Sequence, residues 1–425
     1  MIVRDALKSL VHDKAKTFFY FLTFTLTVAF VFLYLNMTYC QTEAMGYNLA
    51  ADHLTVVEAI CVAVCFTDII FANKFFVRNK AKELAVRLVC GATYMQLAAY
   101  LLIQTLLILF AAIPFAIGIA YAAIPFLNYL LTAKLGGVFT VHVTGDAMAQ
   151  FIFILTAFVF WIVLLNLSFA YKNAAAMMLN STSTSMDNNE NTFGNVLKQI
   201  PRIIPAVLCI FLYLLPIRQF YVEPDSIMAM SVLGLAGLHG ILVFVIIPWL
   251  SSRTSHFKTH DPKVLASEGM LRKDLQAMLM TMHLFSGSAF VLLAFVVIVQ
   301  EEPLELLMIF MSYVVICVLQ AMTIMFRYQT ELSSRTVHYE TLGHLGYTAE
   351  EKAAVLRKEV GSFFLILLCT SLFYIVNIFI SYVRQGSVTV GFALILTAIP
   401  VASILIVWFI TMIYAKKILL TEKVK

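Results

Sequence analysis

Four ionisable side chains recur along one helical face of an otherwise apolar stretch of the chain. They are Glu58, Cys61, Cys65 and Asp68. At roughly 100° per residue, they fall within an arc of about 80°. Ionisable groups inside a membrane are costly and usually face the interior of a helix bundle or a wet cavity. One interpretation is therefore the polar wall of a substrate path or lateral gate. The other is local solvation or pairing, with Glu58 near one membrane interface and Asp68 near the other.

Two further acidic residues, Glu301 and Glu302, lie in a short connection between apolar stretches. We assign them to the same predicted substrate path, because acidic side chains at its outer end would attract a cationic molecule.

The sequence offers little support for catalysis by the chain itself. Its seven Cys and nine His residues show no CxxC pair and no ordered Cys/His spacing. No nucleophile–base pair or metal triad emerges, and the chain has no G-x-x-x-x-G-K-[ST] loop to cradle nucleotide phosphates. We predict no enzyme activity and no metal or cofactor bound by this chain.

The elements that position these side chains are membrane spans. The chain has a mean hydropathy of +0.90 and only 12% charged residues, against about 25% in soluble domains. Stretches with the roughly 20 apolar residues that cross a bilayer predict an all-α polytopic membrane protein of about ten transmembrane helices. The ten stretches are 18–40, 54–73, 97–124, 150–171, 203–222, 227–249, 277–300, 304–326, 361–383 and 388–415.

Orientation follows from the basic residues. With ten spans, all but three of the 29 Lys and Arg residues fall on one side of the membrane, hereafter the basic side; the exceptions are Lys134, Arg218 and Arg384. Because positively charged loops stay in the cytoplasm, we predict that both termini are cytoplasmic in a bacterial plasma membrane. The opposite side carries more acidic than basic residues, which favours the approach of cationic molecules.

The segment GLAGLHG at 234–240 combines three glycines with His239. Small residues let two membrane helices approach closely, so we predict a close helix contact at Gly234, Gly237 and Gly240. We interpret His239 as a structural residue of this contact.

A charged segment at 75–97, FFVRNKAKELAVRLVCGATYMQL, continues span two beyond the membrane. Between positions 77 and 88 its apolar residues form one stripe of a helix, with the charged residues outside that stripe. Gly91 is suited to end this helix in the left-handed conformation. Thr93 and Gln96 then form a T-x-x-Q capping box. The segment predicts a helix, a tight turn and a second helix that runs into span three.

The same pattern recurs at 327–358, after span eight. Gly346, Thr348 and Glu351 repeat the spacing of the first turn, which indicates an internal repeat of two three-span units in the same orientation. The alternative is a pair of ordinary basic loops. We interpret the two turns as rigid docking surfaces for a soluble partner, and a twofold partner would suit them.

The stretch KAKELAVRLVCGATYMQL at 80–97 resembles the signature of FtsX-like permeases, the type VII class of ABC transporters. The stretch ALKSLVHDKAKTFFYFLTFTLTVAFVFLYLNM at 6–37 resembles the amphipathic N-terminal helix and first span of bacitracin-type antimicrobial-peptide transporter permeases. Ten spans with FtsX-like units at spans two to four and eight to ten match the layout of that group. The group carries a large extracellular domain between spans seven and eight, whereas this chain has little more than QEEPLE at 300–305.

The resemblance implies a permease that couples a separate ABC-type ATPase, two copies per permease chain, to export or outer-leaflet handling of an amphipathic or antimicrobial peptide or a lipid. Drug resistance and peptide export are equally compatible with it. ATP and Mg²⁺ would be bound by the ATPase, and no nucleic-acid partner is implied. The residues assigned to ATPase coupling are Arg87, Leu88, Gly91, Ala92, Thr93, Leu342, Gly346, Tyr347 and Thr348.

Two other function classes stay open: an ion-coupled secondary transporter, and an ATPase-driven transmembrane signalling or regulatory protein. The predicted organisation has five segments. They are an amphipathic N-terminal helix at 1–17, a first FtsX-like four-helix unit at 18–172, a polar linker at 173–200, spans five and six with their loop at 201–276, and a second FtsX-like four-helix unit at 277–425.

Overall fold

The computed structural model confirms an all-α polytopic membrane protein. It describes residues 2–12, 14–45, 51–135, 140–179, 203–222, 227–255, 261–299, 303–386 and 388–421. Within these ranges nearly every residue is helical and none is in a β-strand. Ten of the helical segments in them are long and apolar enough to cross a bilayer.

The first half of the chain forms five helices. Their bounds are α1 Ile2–His12, α2 Lys14–Met45, α3 Ala51–Val89, α4 Tyr94–Leu135 and α5 Gly145–Leu179. The predicted N-terminal helix therefore ends at His12, before span one. At 39 residues, α3 is far longer than the roughly 20 residues that a bilayer requires, so its C-terminal part extends beyond the span as predicted.

The second half of the chain forms helices α6 to α13. A π-helical turn connects α7 to α8. The bounds are α6 Ile203–Val222, α7 Ile227–Ile241, the π-helical turn Leu242–Ile246, α8 Ile247–Ser255, α9 Pro262–Ile298, α10 Pro303–Ser334, α11 Thr336–His344, α12 Ala349–Gln385 and α13 Val390–Thr421. The predicted polar linker at 173–200 lies outside the described residues from position 180 onward.

The chain divides into two compact units, and the division passes through α10. Unit one comprises Met1–Thr184 and Val299–Leu319, and unit two comprises Ser185–Ile298 and Gln320–Lys425. The five-segment organisation drawn from the sequence stays a prediction.

A chain of buried polar side chains joins four helices of unit one. The hydroxyl of Tyr20 on α2 donates to Asn73 Oδ1 on α3 at 3.3 Å, and Asn73 Nδ2 donates to Asn166 Oδ1 on α5 at 2.8 Å. Asn166 Nδ2 donates in turn to Thr105 Oγ1 on α4 at 3.0 Å. Because each of these four buried side chains has a hydrogen-bond partner, the network favours one register of the four helices over its alternatives.

In unit two the predicted close contact at the glycines is confirmed. A Cβ atom on Gly237 of α7 would lie 2.5 Å from the backbone nitrogen of Tyr213 on α6, and one on Gly240 would lie 2.0 Å from Cys209 Sγ. At either position, a residue larger than glycine would require the neighbouring atoms to shift. His239 does not insert into this contact: it is exposed on α7 and its ring contacts His283 on α9, with 4.4 Å between the ring centroids.

This contact makes a testable prediction. Gly237→Ala forces α6 and α7 apart, since the new methyl group meets backbone rather than a movable side chain, and overpacking of this kind costs about 1–3 kcal/mol. Gly118→Ala is the matched control, because its Cβ would meet nothing within 4 Å. We expect a lower thermal midpoint in detergent for the first variant only; equal midpoints would contradict the close contact.

Candidate functional site

Both predicted turns have the same backbone geometry. Gly91 has φ +92° and Gly346 has φ +94°, the left-handed conformation that glycine adopts at least cost. At the first turn Ala92 N–H donates to the carbonyl of Arg87 at 3.0 Å and Gly91 N–H to the carbonyl of Leu88 at 2.9 Å. These two bonds form a Schellman motif, which closes the C-terminus of α3.

The second turn repeats this motif bond for bond. Tyr347 N–H donates to the carbonyl of Leu342 at 3.0 Å, and Gly346 N–H donates to the carbonyl of Gly343 at 3.1 Å. Leu342 and Tyr347 therefore correspond to Arg87 and Ala92 of the first turn.

A capping box opens the helix after each turn, as predicted. Thr93 N–H donates to Gln96 Oε1 at 2.9 Å, and Gln96 N–H donates to Thr93 Oγ1 at 3.4 Å. Thr348 N–H donates to Glu351 Oε2 at 2.9 Å, and Glu351 N–H donates to Thr348 Oγ1 at 3.3 Å. The reciprocal bonds satisfy backbone donors that a helix N-terminus leaves free, so each turn is a short, fully bonded connection.

Exposed apolar side chains surround both turns. Around the first turn, Val86 is 63% exposed, Val89 80% and Met95 76%; beside the second turn Leu345 is 70% exposed, and Val337, at the start of α11, is 56% exposed. Two predicted coupling residues, Leu88 and Leu342, are instead buried and anchor the turns from below. Helical periodicity placed Leu88 in the apolar stripe, and the family resemblance supplied Leu342. Neither singled out the exposed residues, because Val89 and Leu345 lie at the very ends of the helices.

A charged cluster fixes the first turn to its neighbours. Glu83 Oε2 accepts from Ser9 Oγ of α1 at 2.7 Å, and Glu83 Oε1 accepts from the hydroxyl of Tyr100 on α4. Lys80 Nζ lies 3.4 Å and Arg87 Nη2 3.5 Å from the same carboxylate. The Arg87 guanidinium also lies 3.9 Å from the Tyr100 ring centroid.

Lys80 lies outside the apolar stripe of the sequence analysis, yet only 2% of it is exposed. Its ammonium group donates to Ser9 Oγ at 2.7 Å. The side chain is buried because α1 covers this face of α3, and sequence periodicity does not reveal that contact.

The environment of Glu83 lowers the pKa of its carboxyl group. Partial burial raises that pKa, but the hydrogen bonds from Tyr100 and Ser9 and the charges of Lys80 and Arg87 lower it by more. The carboxylate is therefore the stable form, and it joins α1, α3 and α4.

A second charged cluster fixes the second turn. Arg335 Nη1 lies 2.6 Å from Asp274 Oδ1 on α9 and 3.2 Å from Glu359 Oε1 on α12. The hydroxyl of Tyr328 donates to Asp274 Oδ2 at 3.0 Å, and the hydroxyl of Tyr339 donates to Glu359. All five side chains are buried. Burial disfavours the charged guanidinium of Arg335, but the nearby carboxylates outweigh it and raise its pKa.

The second element differs from the first at this cluster. The sequence pattern predicts one charged helix after span eight, as after span two, but here the helix breaks between α10 and α11 at Arg335, whose φ is −102°. The break turns Arg335 inward, where its guanidinium also donates to the carbonyl of Met270 at 3.2 Å.

The predicted substrate-path residues are partly brought together in unit one. Cys61, Cys65 and Asp68 are buried on one face of α3, and Glu58 Oε1 accepts from Gln150 Nε2 on α5 at 2.6 Å. This contact fits the local-pairing interpretation, and the burial of the other three fits a polar face inside the bundle. Glu301 and Glu302 lie outside the described residues.

Further polar residues from two other helices lie near Glu58 and Cys61, and sequence reasoning missed them. Tyr34 on α2 lies within electrostatic range of Glu58 and of Glu305 on α10. Ser312 of α10 lies near Cys61 on α3. These side chains form a polar cluster, defined by Tyr34, Glu58, Gln150 and Glu305. Their positions are distant in sequence, so only the fold assembles them.

Among the described residues, no group of three or more His, Cys, Asp or Glu side chains is placed to hold a metal ion. A scan against models of known protein families and a search of curated proteins gave no match to this chain.

Removing the Arg335 guanidinium should destabilise unit two. Arg335→Met leaves Asp274 and Glu359 buried without their countercharge, and breaking a buried ion pair in this way costs about 3–5 kcal/mol. Arg357→Met is the matched control, because Arg357 is exposed on α12 and its loss should change stability by about 0.5 kcal/mol at most. Thermal unfolding in detergent distinguishes the two variants. Equal midpoints would contradict a stabilising role of the charged cluster around Arg335.

The Glu83 cluster predicts a dependence on pH. Because the folded-state pKa of Glu83 is lowered, its stabilising contribution is present above the unfolded value of about 4.3 and is lost as the pH falls through the folded-state pKa. The protection factors of the α1 amides, which correct for the pH dependence of intrinsic exchange, should therefore fall at acidic pH in the wild type, and Glu83→Gln should remove most of that change. Glu350→Gln, at an exposed position, should leave it unaltered. A wild type that responds to pH as Glu83→Gln does would refute the assignment.

Proposed function

We propose that this chain is the permease subunit of an ATP-driven ABC transporter, and that its two turns each dock one copy of a separate ATPase. The observation that carries the proposal is the duplication of one turn in full detail. Each copy combines a Schellman motif at a left-handed glycine, a capping box and exposed apolar side chains. Ordinary basic loops have no reason to share this geometry.

The bracing of both turns supports a role in transmitting force. A docking element that flexed by itself would dissipate the movement of its partner. Each turn is instead tied to neighbouring helices, through Glu83 in the first copy and Arg335 in the second. A displacement applied at a turn is thereby passed to the helices that it joins, which are spans two and three and spans eight and nine.

ATP and Mg²⁺ belong to the partner in this proposal. Two docking turns call for two ATPase copies per permease chain. ATP-driven movement of those copies is then transmitted to the spans through Gly91-Ala92-Thr93 and Gly346-Tyr347-Thr348, whose own side chains carry out no chemistry. In the orientation predicted from the basic residues, both turns face the cytoplasm of a bacterial cell, where ATP is available.

The cargo that we propose is an amphipathic or cationic peptide, or a lipid, exported or handled at the outer leaflet. The polar cluster supports this choice, because two carboxyl groups beside Tyr34 suit a cationic group. The excess of acidic residues on the predicted outer side also favours a cationic cargo. The helix of span seven ends at Ile298, and the helix of span eight begins at Pro303. This short connection leaves no room for a large substrate-capturing domain. Drug resistance and peptide export both fit such a cargo.

The docking claim can be tested without disturbing the fold. Val89→Asp and Leu345→Asp place a charge on an exposed side chain of each turn. We expect each change to weaken binding of a candidate ABC-type ATPase by about tenfold or more, because 1.4 kcal/mol corresponds to tenfold and burying an unpaired charge costs more than that. Co-purification and ATPase rates in nanodiscs provide the measurement.

Val390→Asp is the matched control. It makes the same change at a residue that is 59% exposed but lies at the start of α13, on the predicted outer side. It should bind the ATPase as the wild type does. The double variant Gly91→Pro with Gly346→Pro should bind weakly and lose membrane-stimulated hydrolysis, because proline cannot adopt a positive φ. If no ATPase binds the wild type, or if all variants behave alike, the proposal fails.

The polar cluster also favours a second candidate, an ion-coupled secondary transporter. Ionisable groups within membrane spans are typical of such proteins. Uptake into proteoliposomes that lack ATP distinguishes the secondary transporter from the ABC permease. A secondary transporter shows ion-driven uptake that Glu58→Gln abolishes. An ABC permease shows no such uptake even in the wild type. A chain that binds the ATPase but moves no cargo would instead indicate the signalling or regulatory class.

A further inference from the structure

The short helix α1 has two different faces. Ala6 and Leu10 are buried in a hydrophobic cluster with residues of α2, α3 and α4. On the opposite face, Leu7 is 46% and Val11 60% exposed. One face therefore fixes α1 to unit one, and the other leaves apolar side chains uncovered.

The exposed face of α1 alternates apolar and basic side chains. At roughly 100° per residue, its members fall within an arc of about 100°. Arg4 and Lys8 are exposed there beside Leu7 and Val11. The members of this surface, hereafter the lipid face, are Arg4, Leu7, Lys8 and Val11.

The depth of α1 is fixed by its contacts with the ends of two spans. Thr17, the first residue of span one, donates from its hydroxyl to the carbonyl of Leu10 at 3.2 Å. Ser9 contacts Lys80, and span two ends just before it, at Arg78. The helix therefore lies level with the ends of the two candidate spans, where the acyl chains of a bilayer meet its headgroups.

We propose that the lipid face of α1 binds anionic phospholipid in the leaflet on the basic side. Leu7 and Val11 insert between the acyl chains, while Arg4 and Lys8 contact the headgroup phosphates. A helix with apolar side chains beside basic ones, lying in the interface plane, is the arrangement by which amphipathic helices bind anionic membranes. The cytoplasmic leaflet is also the one that carries negative surface charge.

A protein partner fits this surface less well. A stable protein interface uses about 20–30 residues on each side, and the lipid face has four side chains. Its basic groups are complementary to phosphate, and its depth presents Leu7 and Val11 to acyl chains rather than to water.

Besides the packing of Ala6 and Leu10, Ser9 connects α1 to the helix that precedes the first turn through hydrogen bonds. Ser9 donates to Glu83 at 2.7 Å and accepts from Lys80 at 2.7 Å. Anchoring α1 to the bilayer thereby holds the C-terminal part of α3 at a fixed height. The inference does not depend on the identity of any partner at that turn.

The first arm of the test measures depth. Val11→Trp adds an indole to a chain with three tryptophans, and the difference from the wild-type emission isolates it. In nanodiscs of phosphatidylcholine and phosphatidylglycerol, we expect blue-shifted emission that lipids brominated high on the acyl chain quench. Water-exposed, unquenched emission would overturn the proposal. An indole that becomes shielded only when a protein partner is added would overturn it as well.

The second arm measures charge, in the Val11→Trp background. In the wild-type charge state, raising the phosphatidylglycerol content should increase the quenching. Arg4→Gln with Lys8→Gln should weaken this increase, by roughly fivefold for each charge removed. Arg357→Gln with Lys358→Gln removes the same charge from exposed positions of α12, and it should leave the response intact. Equal responses in both double variants, or no response to phosphatidylglycerol in the parent, would refute a specific role of α1. Because all four changes are at exposed residues, folding is preserved, and hydrogen exchange of α3 and α4 checks this.

Discussion

The structure depends on how charge is buried where the long helices leave the membrane. A lone charged group in that position is costly, and it becomes tolerable only when countercharges and hydrogen bonds surround it. Glu83 meets this condition with donors from three helices, and Arg335 meets it with two carboxylates and a backbone carbonyl. Each cluster therefore fixes the position of a turn. Without them, the left-handed glycines would end two helices that were free to bend.

The two clusters reach the same result by different chemistry. In the first copy an acidic residue lies at the centre with basic and hydroxyl groups around it. In the second a basic residue lies at the centre with Asp274 and Glu359 beside it. The backbone of the turn is repeated closely while the side chains that brace it are not. The turn geometry is thus the feature that the two copies share, which is what two docking sites for identical subunits require.

The short-range part of this structure follows from the sequence, and the long-range part does not. Gly91, Gly346 and the capping boxes were predictable because their partners lie within a few residues. The contacts of Glu83 with Ser9 and of Arg335 with Asp274 connect residues more than 60 positions apart, and no local pattern encodes them. For the same reason Lys80 reads as part of a charged helix face although α1 buries it. Of the polar cluster, only Glu58 was predictable, from its helical spacing in α3; the fold added Tyr34, Gln150 and Glu305.

The most direct measurement uses a thiol that the chain already carries. Cys90 is exposed beside Gly91, and Cys369, the other exposed cysteine of the described residues, lies within a span. A membrane-impermeant maleimide should label Cys90 in inside-out vesicles and not in right-side-out ones. Addition of the ATPase should protect it, and Leu345→Cys should give the same pattern at the second turn. Labelling from the outer side, or labelling that the ATPase leaves unchanged at both turns, would contradict the account.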